Sequence, residues 1–145
     1  MSNDLQWLLL RKNNSFIVKR VVEGPVFSRE PGNLLNLHSH KYSGLSNSKT
    51  IDISEKGGNI TVTTRKVKAS PHQVKSAFAK HPVRPRSGAR RALGVAAAPA
   101  KRGYRPDLRR AALARISALV TSQTAGSKPD LPKKVRGKKA THFLG

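Results

Sequence analysis

The chain has 145 residues, of which 29 are Lys or Arg and only 7 are Asp or Glu, for a formal net charge of +22. With no Cys and 37% hydrophobic residues, a disulfide framework, a thiolate zinc site and a Cys nucleophile are excluded. Apolar runs no longer than Trp7-Leu8-Leu9-Leu10 fall far short of the roughly 20 residues of a membrane helix, and of a secretory core segment. So much positive charge on so short a chain repels itself in isolation. It implies a polyanionic partner, with nucleic acid the first candidate.

The charge is uneven. Residues 1–55 hold 7 basic and 5 acidic residues, whereas residues 56–145 hold 22 basic and 2 acidic. The sequence therefore divides into a small α+β head over 1–68 and a basic Pro/Ala/Gly-rich linker over 69–103 that admits short helices. An amphipathic basic helix over 104–123 and an extended basic tail over 124–145 follow.

In chain order, residues 4–11 predict a short helix capped by Asn3 or Asp4, with Leu5, Leu8 and Leu9 on one face. Lys12-Asn13-Asn14 is a turn. Ser15–Val22, rich in β-branched residues, reads as a strand broken by Gly24-Pro25. Val26-Phe27-Ser28 reads as a second short strand, and part of Asn33–Tyr42 as an edge strand. Thr50–Ser54 and Asn59–Thr63 alternate cleanly around Glu55-Lys56-Gly57-Gly58, a hairpin whose glycines supply positive φ. The expected head is a small antiparallel sheet with one helix on it.

Ser70-Pro71 resembles an N-cap and first helical residue, predicting a helix to about Lys80 that stops before Pro82. Residues 83–88 read as linker. Residues 89–98 read as helical, ended by Pro99. The strongest helix signal runs from Pro106 to about Ser122. Leu108, Ala112, Ile116, Leu119 and Val120 make its apolar stripe, and Arg105, Arg109, Arg110 and Arg115 lie off it. From Thr124 onward Gly, Pro and Lys clusters read as an extended tail.

Catalysis has little to work with. The few carboxylates are scattered. His38, His40, His72, His81 and His142 complete no metal set, and Gly57-Gly58 lacks the Lys-Ser or Lys-Thr of a phosphate loop. The expectation is no enzyme, no metal, no cofactor, no small-molecule substrate and no membrane. Nucleic-acid binding is carried by clusters. Arg65, Lys66 and Lys68 close the hairpin, and Arg84, Arg86, Arg90 and Arg91 occupy the linker region. Lys101, Arg102, Arg105, Arg109, Arg110 and Arg115 surround the strong helix. Lys133, Lys134, Arg136, Lys138 and Lys139 lie in the tail. The tail run also fits a nuclear-import signal. Tyr104 reads either as a packing residue beside the helix or as a platform for an unpaired base. Zinc-finger, basic-zipper and homeodomain patterns are absent, so RNA and DNA both remain open at this level. A chromatin protein is the rival reading.

Particular blocks point further. Leu5-Gln6-Trp7, then Arg11-Lys12-Asn13-Asn14-Ser15-Phe16-Ile17-Val18-Lys19-Arg20, resemble the start of the eukaryotic large-ribosomal-subunit protein family numbered twenty-eight. Asn33-Leu34, Lys41-Tyr42-Ser43-Gly44-Leu45 and Lys49-Thr50 resemble its next block. Residues 104–113, Tyr-Arg-Pro-Asp-Leu-Arg-Arg-Ala-Ala-Leu, resemble its C-terminal helix motif. Order and spacing agree over residues 5–120. The resemblance implies an α+β structural component of the cytosolic large subunit, bound to ribosomal RNA and neighbouring ribosomal proteins, passing through the nucleolus during assembly, and without catalysis. A nucleolar ribosome-assembly factor shares a related N-terminal block. The Tyr104–Leu108 motif and the short chain favour the ribosomal protein.

Overall fold

The computed structural model describes residues 2–70, 72–85 and 87–125. Helix α1 (Asn3–Leu10) is followed by the two-residue strands β1 (Ile17–Val18) and β2 (Phe27–Ser28), then β3 (Ile51–Lys56), β4 (Asn59–Arg65), β5 (Phe78–Pro82), α2 (Ala89–Lys101) and α3 (Arg109–Ala125). A 3₁₀ turn, Pro106–Leu108, leads into α3. The strands form two antiparallel sheets, β1-β2 and β3-β4-β5. The architecture is α+β, as the sequence implies.

The β3–β4 hairpin forms where the alternation places it. Gly57 and Gly58, at φ +57° and +79°, make the turn. Alternation also sorts the faces. Ile51, Ile53, Ile60 and Val62 are buried on one side, with Asp52, Ser54, Lys56, Thr61, Thr63 and Arg65 on the other. Helices α2 and α3 cover the apolar side. Ala92 and Ala96 of α2 and Leu108, Ala112 and Ile116 at the start of α3 join the same core, with Leu119 and Val120 partly buried against it. The predicted stripe of the strong helix is therefore the face it buries. One core thus draws on residues from Leu34 to Ile116.

Residues 70–80 depart from the helical expectation. Residues 72–77 are a run of turns that enters β5, with Val74 77% exposed. As a helix the segment would offer only Val74, Ala77 and Phe78 on one face for burial, whereas β4 has an open edge to satisfy. The Lys66 N–H donates to the Ala77 carbonyl, and β5 then pairs Phe78 with Arg65 and Lys80 with Thr63. Pro82 fits because β5 is an edge strand.

Helix α2 runs through Pro99 instead of ending there. Ala96, Ala97 and Ala100 bury against α3, and that packing outweighs the lost hydrogen bond. Gly103, at φ +75°, closes the helix.

The N-terminal third is less regular than its β-branched residues suggest. Val21 and Val22 are exposed and only Ile17-Val18 pairs, because nothing covers the rest of the predicted strand. The expected edge strand over 33–42 reduces to a single bridge between Leu37 and Phe27. Side chains hold it instead. Buried Asn33 donates to Glu30 Oε1 (3.1 Å) and the Leu37 carbonyl (2.8 Å), and Ser43 donates to Glu30 Oε2 (3.0 Å). A Cβ on Gly44 would overlap the Pro31 carbonyl oxygen, so only glycine lets these two segments pass. Ser2, not Asn3 or Asp4, caps α1, its Oγ accepting from the Leu5 N–H at 3.3 Å. The helix rests on Trp7 against the His38 and His40 rings, at 4.9 and 5.6 Å between centroids. Leu5, Leu8 and Leu9 stay exposed. α1 therefore sits on a loop, not on the sheet.

Candidate nucleic-acid interface

The basic residues gather at three places. The first is the polar face of β3-β4-β5. Lys56, Arg65 and Lys80 edge a groove of about 370 Å³, floored by Asp52, Ser54, Thr61 and Thr63 and closed on the far side by Pro31, Gly32, Gly44 and Leu45. Phe78, 39% exposed, lines it beside Arg65. Exposed Lys66 and Lys68 follow in the next turn.

The second is the start of α2. Gly88 occupies the N-cap with no side-chain hydrogen bond, the first turn has no acidic residue, and Arg90 and Arg91 are exposed there, with Arg84 just upstream. The third is the junction of α2 and α3, where Lys101, Arg102, Arg109 and Arg110 are exposed. The two helices pack side by side, and Ala89 of α2 shares a cavity wall with Gln123 of α3. The second and third clusters thus sit at opposite ends of the pair, roughly 20 Å apart for a helix of this length. Cations in the first turns of both helices oppose the macrodipole, a placement that costs helix stability unless an external anion offsets it.

Three of the predicted residues face inward. The Tyr104 hydroxyl donates to the Arg65 carbonyl and accepts from the Thr50 N–H at 3.2 Å, its ring packed on the core. Burial pushes the phenol above its ordinary pKa. Arg105 grips both oxygens of Asp107 (2.8 and 2.7 Å) and donates to the Lys49 and Lys41 carbonyls (2.9 and 3.0 Å). The hydrogen bonds from Arg105 hold the Asp107 carboxyl below its usual range. Arg115 is half-buried, its Nε enclosed without a hydrogen-bond partner, and its charge faces Asp52. Arg86 and the tail cluster Lys133, Lys134, Arg136, Lys138 and Lys139 lie outside the described residues.

Among the described residues, Arg105–Asp107 is the one ion pair between a Lys or Arg and a carboxylate. Lys41 and Lys49 lie over the rings of Tyr42 and Tyr104, at 5.5 and 5.9 Å from the centroids. No group of three or more metal-ligating side chains occurs among the described residues, and no helix there is long and apolar enough to cross a membrane.

Sequence reasoning missed Lys56, Phe78 and Lys80. Reading 70–80 as a helix hid the register that brings Phe78 and Lys80 beside β4. Phe78-Ala79-Lys80-His81 does not alternate apolar with polar residues, so no local strand pattern marked the segment, and Ser70-Pro71 offered a helix start instead.

Comparison with known proteins bears on the whole arrangement. The chain is 38% identical over 134 residues to the large ribosomal subunit protein eL28 of Dictyostelium discoideum, covering 88% of this chain and 96% of that one. It is 33% identical over 126 residues to the Schizosaccharomyces pombe protein of the same name, covering 85% and 93%. A third relative so named, from Caenorhabditis elegans, is 36% identical over 85 residues, covering 57% of this chain and 68% of that one. The model of the Ribosomal L28e protein family matches residues 5–122, which include every element described above from Leu5 to Ser122. The chain belongs to the Ribosomal L28e protein family.

Proposed function

We propose that this chain is a structural constituent of the large ribosomal subunit, held on ribosomal RNA by its basic clusters and supporting translation from there. The observation that carries this reading is the surface charge. Exposed Lys66, Lys68, Arg84, Arg90, Arg91, Lys101, Arg102, Arg109 and Arg110 have no carboxylate partner among the described residues, in a chain whose relatives are named for the large subunit. Arg at five of these positions, Arg90, Arg91, Arg102, Arg109 and Arg110, stands at a helix end and suits phosphate, which its planar fork grips with two hydrogen bonds. Tyr104 and Arg105 act indirectly, by fixing the scaffold that carries the others. The exposed Leu5, Leu8 and Leu9 of α1 belong against a neighbouring ribosomal protein. The tail cations, with Arg86, extend the RNA contact, and the Lys133–Lys139 run serves import for nucleolar assembly.

Sedimentation of a cell lysate tests the reading. The protein should travel with large subunits and polysomes after DNase treatment, and pelleting with chromatin would overturn it. Binding of the purified chain to ribosomal RNA should weaken steeply with salt. The expected slope is about −0.7 to −0.9 in log K per log salt for each phosphate neutralised.

A further inference from the structure

The groove on the polar face of β3-β4-β5 has a composition that phosphate binding alone does not account for. A phosphate site wants cations throughout. Here the cations Lys56, Arg65 and Lys80 stand at the edge, while the floor holds a carboxylate, Asp52, flanked by Ser54, Thr61 and Thr63. Asp52 is largely desolvated, and that burial raises its pKa despite the charges of Arg115 and Lys56 and the backbone N–H groups of Ile53 and Gly32. Keeping an ionised acid in so desolvated a place costs stability. Phe78 offers an aromatic surface at the same groove, opposite Arg65 in the β4–β5 register.

We propose that this groove receives one unpaired RNA nucleobase carrying an exocyclic amine, stacked on Phe78, with its amine donated to Asp52 and its flanking phosphates on Lys56, Arg65 and Lys80. The proposal rests on the RNA-binding reading above and deepens it. Each group is matched to one part of a nucleotide. The aromatic ring takes the π-face, the carboxylate takes N–H donors of the base edge, and the edge cations take the backbone. The cavity, about 370 Å³, falls within the range of roughly 300–1,000 Å³ usual for small-molecule clefts. A basic peptide is the natural competitor for a carboxylate beside an aromatic ring, but three edge cations repel it. A duplex is too wide to bring a base edge to the floor of the groove, so the ligand is single-stranded.

Binding of the full chain to short oligo(A), oligo(C) and oligo(U) RNA, and to an RNA duplex, separates the contributions. The wild type should prefer oligo(A) and oligo(C) over oligo(U) by roughly tenfold, the scale of one charge-assisted hydrogen bond. Phe78→Ala should weaken all three single strands by about tenfold and leave duplex binding unchanged. Asp52→Asn, which relieves a buried charge and so keeps the fold, should abolish the preference against oligo(U). Wild-type affinity for every single strand in both variants, with duplex binding intact, overturns the groove proposal and leaves the RNA reading standing. Failure of the wild type to bind any RNA overturns both. A map of the assembled subunit with a polypeptide in the groove overturns the proposal as well, and a nucleotide cross-linked at Phe78 supports it.

Discussion

Tyr104 and Arg105 are adjacent, polar and conspicuous in a basic protein, yet both spend their hydrogen bonds inside the molecule. Removing the Tyr104 hydroxyl strips the half-buried Thr50 N–H and the Arg65 carbonyl of a partner at once. Tyr104→Phe should therefore lower stability by about 1–3 kcal/mol. Arg105→Lys keeps the charge but loses the fork that spans Asp107, Lys49 and Lys41, and should destabilise by a similar amount. Thermal unfolding checks both, and neither variant should change the salt slope of RNA binding. Asp52 behaves in the opposite sense. Its folded pKa is raised, so the native state holds its proton more tightly than the unfolded chain does. The associated stability is full below the ordinary carboxylate pKa and is lost as pH rises through the folded value. Asp107, whose pKa is lowered, contributes above the ordinary value and loses that contribution as pH falls through the folded one. Melting of wild type and Asp52→Asn side by side isolates the first effect. The advantage of the Asn variant should grow as pH rises from below the ordinary carboxylate pKa through the raised folded value. A constant gap would mean that Asp52 ionises as freely in the fold as in the unfolded chain.

At the scale of elements, α2 carries two faces with opposite demands. Gly94 lies on its exposed side, and a Cβ there would meet nothing within 4 Å. Gly94→Ala should stabilise the protein by about 1 kcal/mol, the backbone entropy that glycine surrenders in a helix. Ala96, fully buried two residues on, faces α3. Ala96→Leu should cost about 1–3 kcal/mol by overpacking that seam. Chemical denaturation of the two variants reads both signs in one experiment. The same helix shows what local sequence conveys and what it does not. Its Ala-rich periodicity announces a helix. That the helix survives Pro99 depends on α3, which lies on the other side of Gly103. The β3–β4 hairpin was legible for the same reason that α3 was: alternation, turn glycines and a 3.6-residue stripe are all local. Strand β5 was not, because its reason for existing is the open edge of β4, and Ser70-Pro71 offered a plausible local alternative. The irregular path of residues 28–47 follows from the hydrogen bonds of Glu30, Asn33 and Ser43, which short-range pattern does not reveal.

For the whole molecule, the division of charge in the sequence was visible, but not its gathering into three clusters. Arg65 and Lys80 are fifteen positions apart and come together through strand register; Arg102 and Arg109 flank the Gly103 turn and the 3₁₀ turn that join α2 to α3. What the assembled surface adds is a near-absence of internal neutralisation, since one Lys/Arg–carboxylate pair stands among the described residues, which hold 22 Lys and Arg and 6 Asp and Glu. Self-repulsion is then a standing cost of the isolated fold, greater in the compact state than in the expanded one. Screening should relieve it. The Debye length shrinks from about 30 Å at 0.01 M salt to about 8 Å at 0.15 M, shorter than the roughly 20 Å between the two ends of the helix pair. The melting temperature of the RNA-free chain should accordingly rise with salt over that range, while its affinity for RNA falls. RNA itself should raise the melting temperature most at low salt, where binding is tightest; at a hundredfold excess over Kd it stabilises the fold by about 2.7 kcal/mol. A single salt series with and without RNA records the opposed trends, and a chain that melted lower in added salt would show that attraction among its charges, not repulsion, governs the fold.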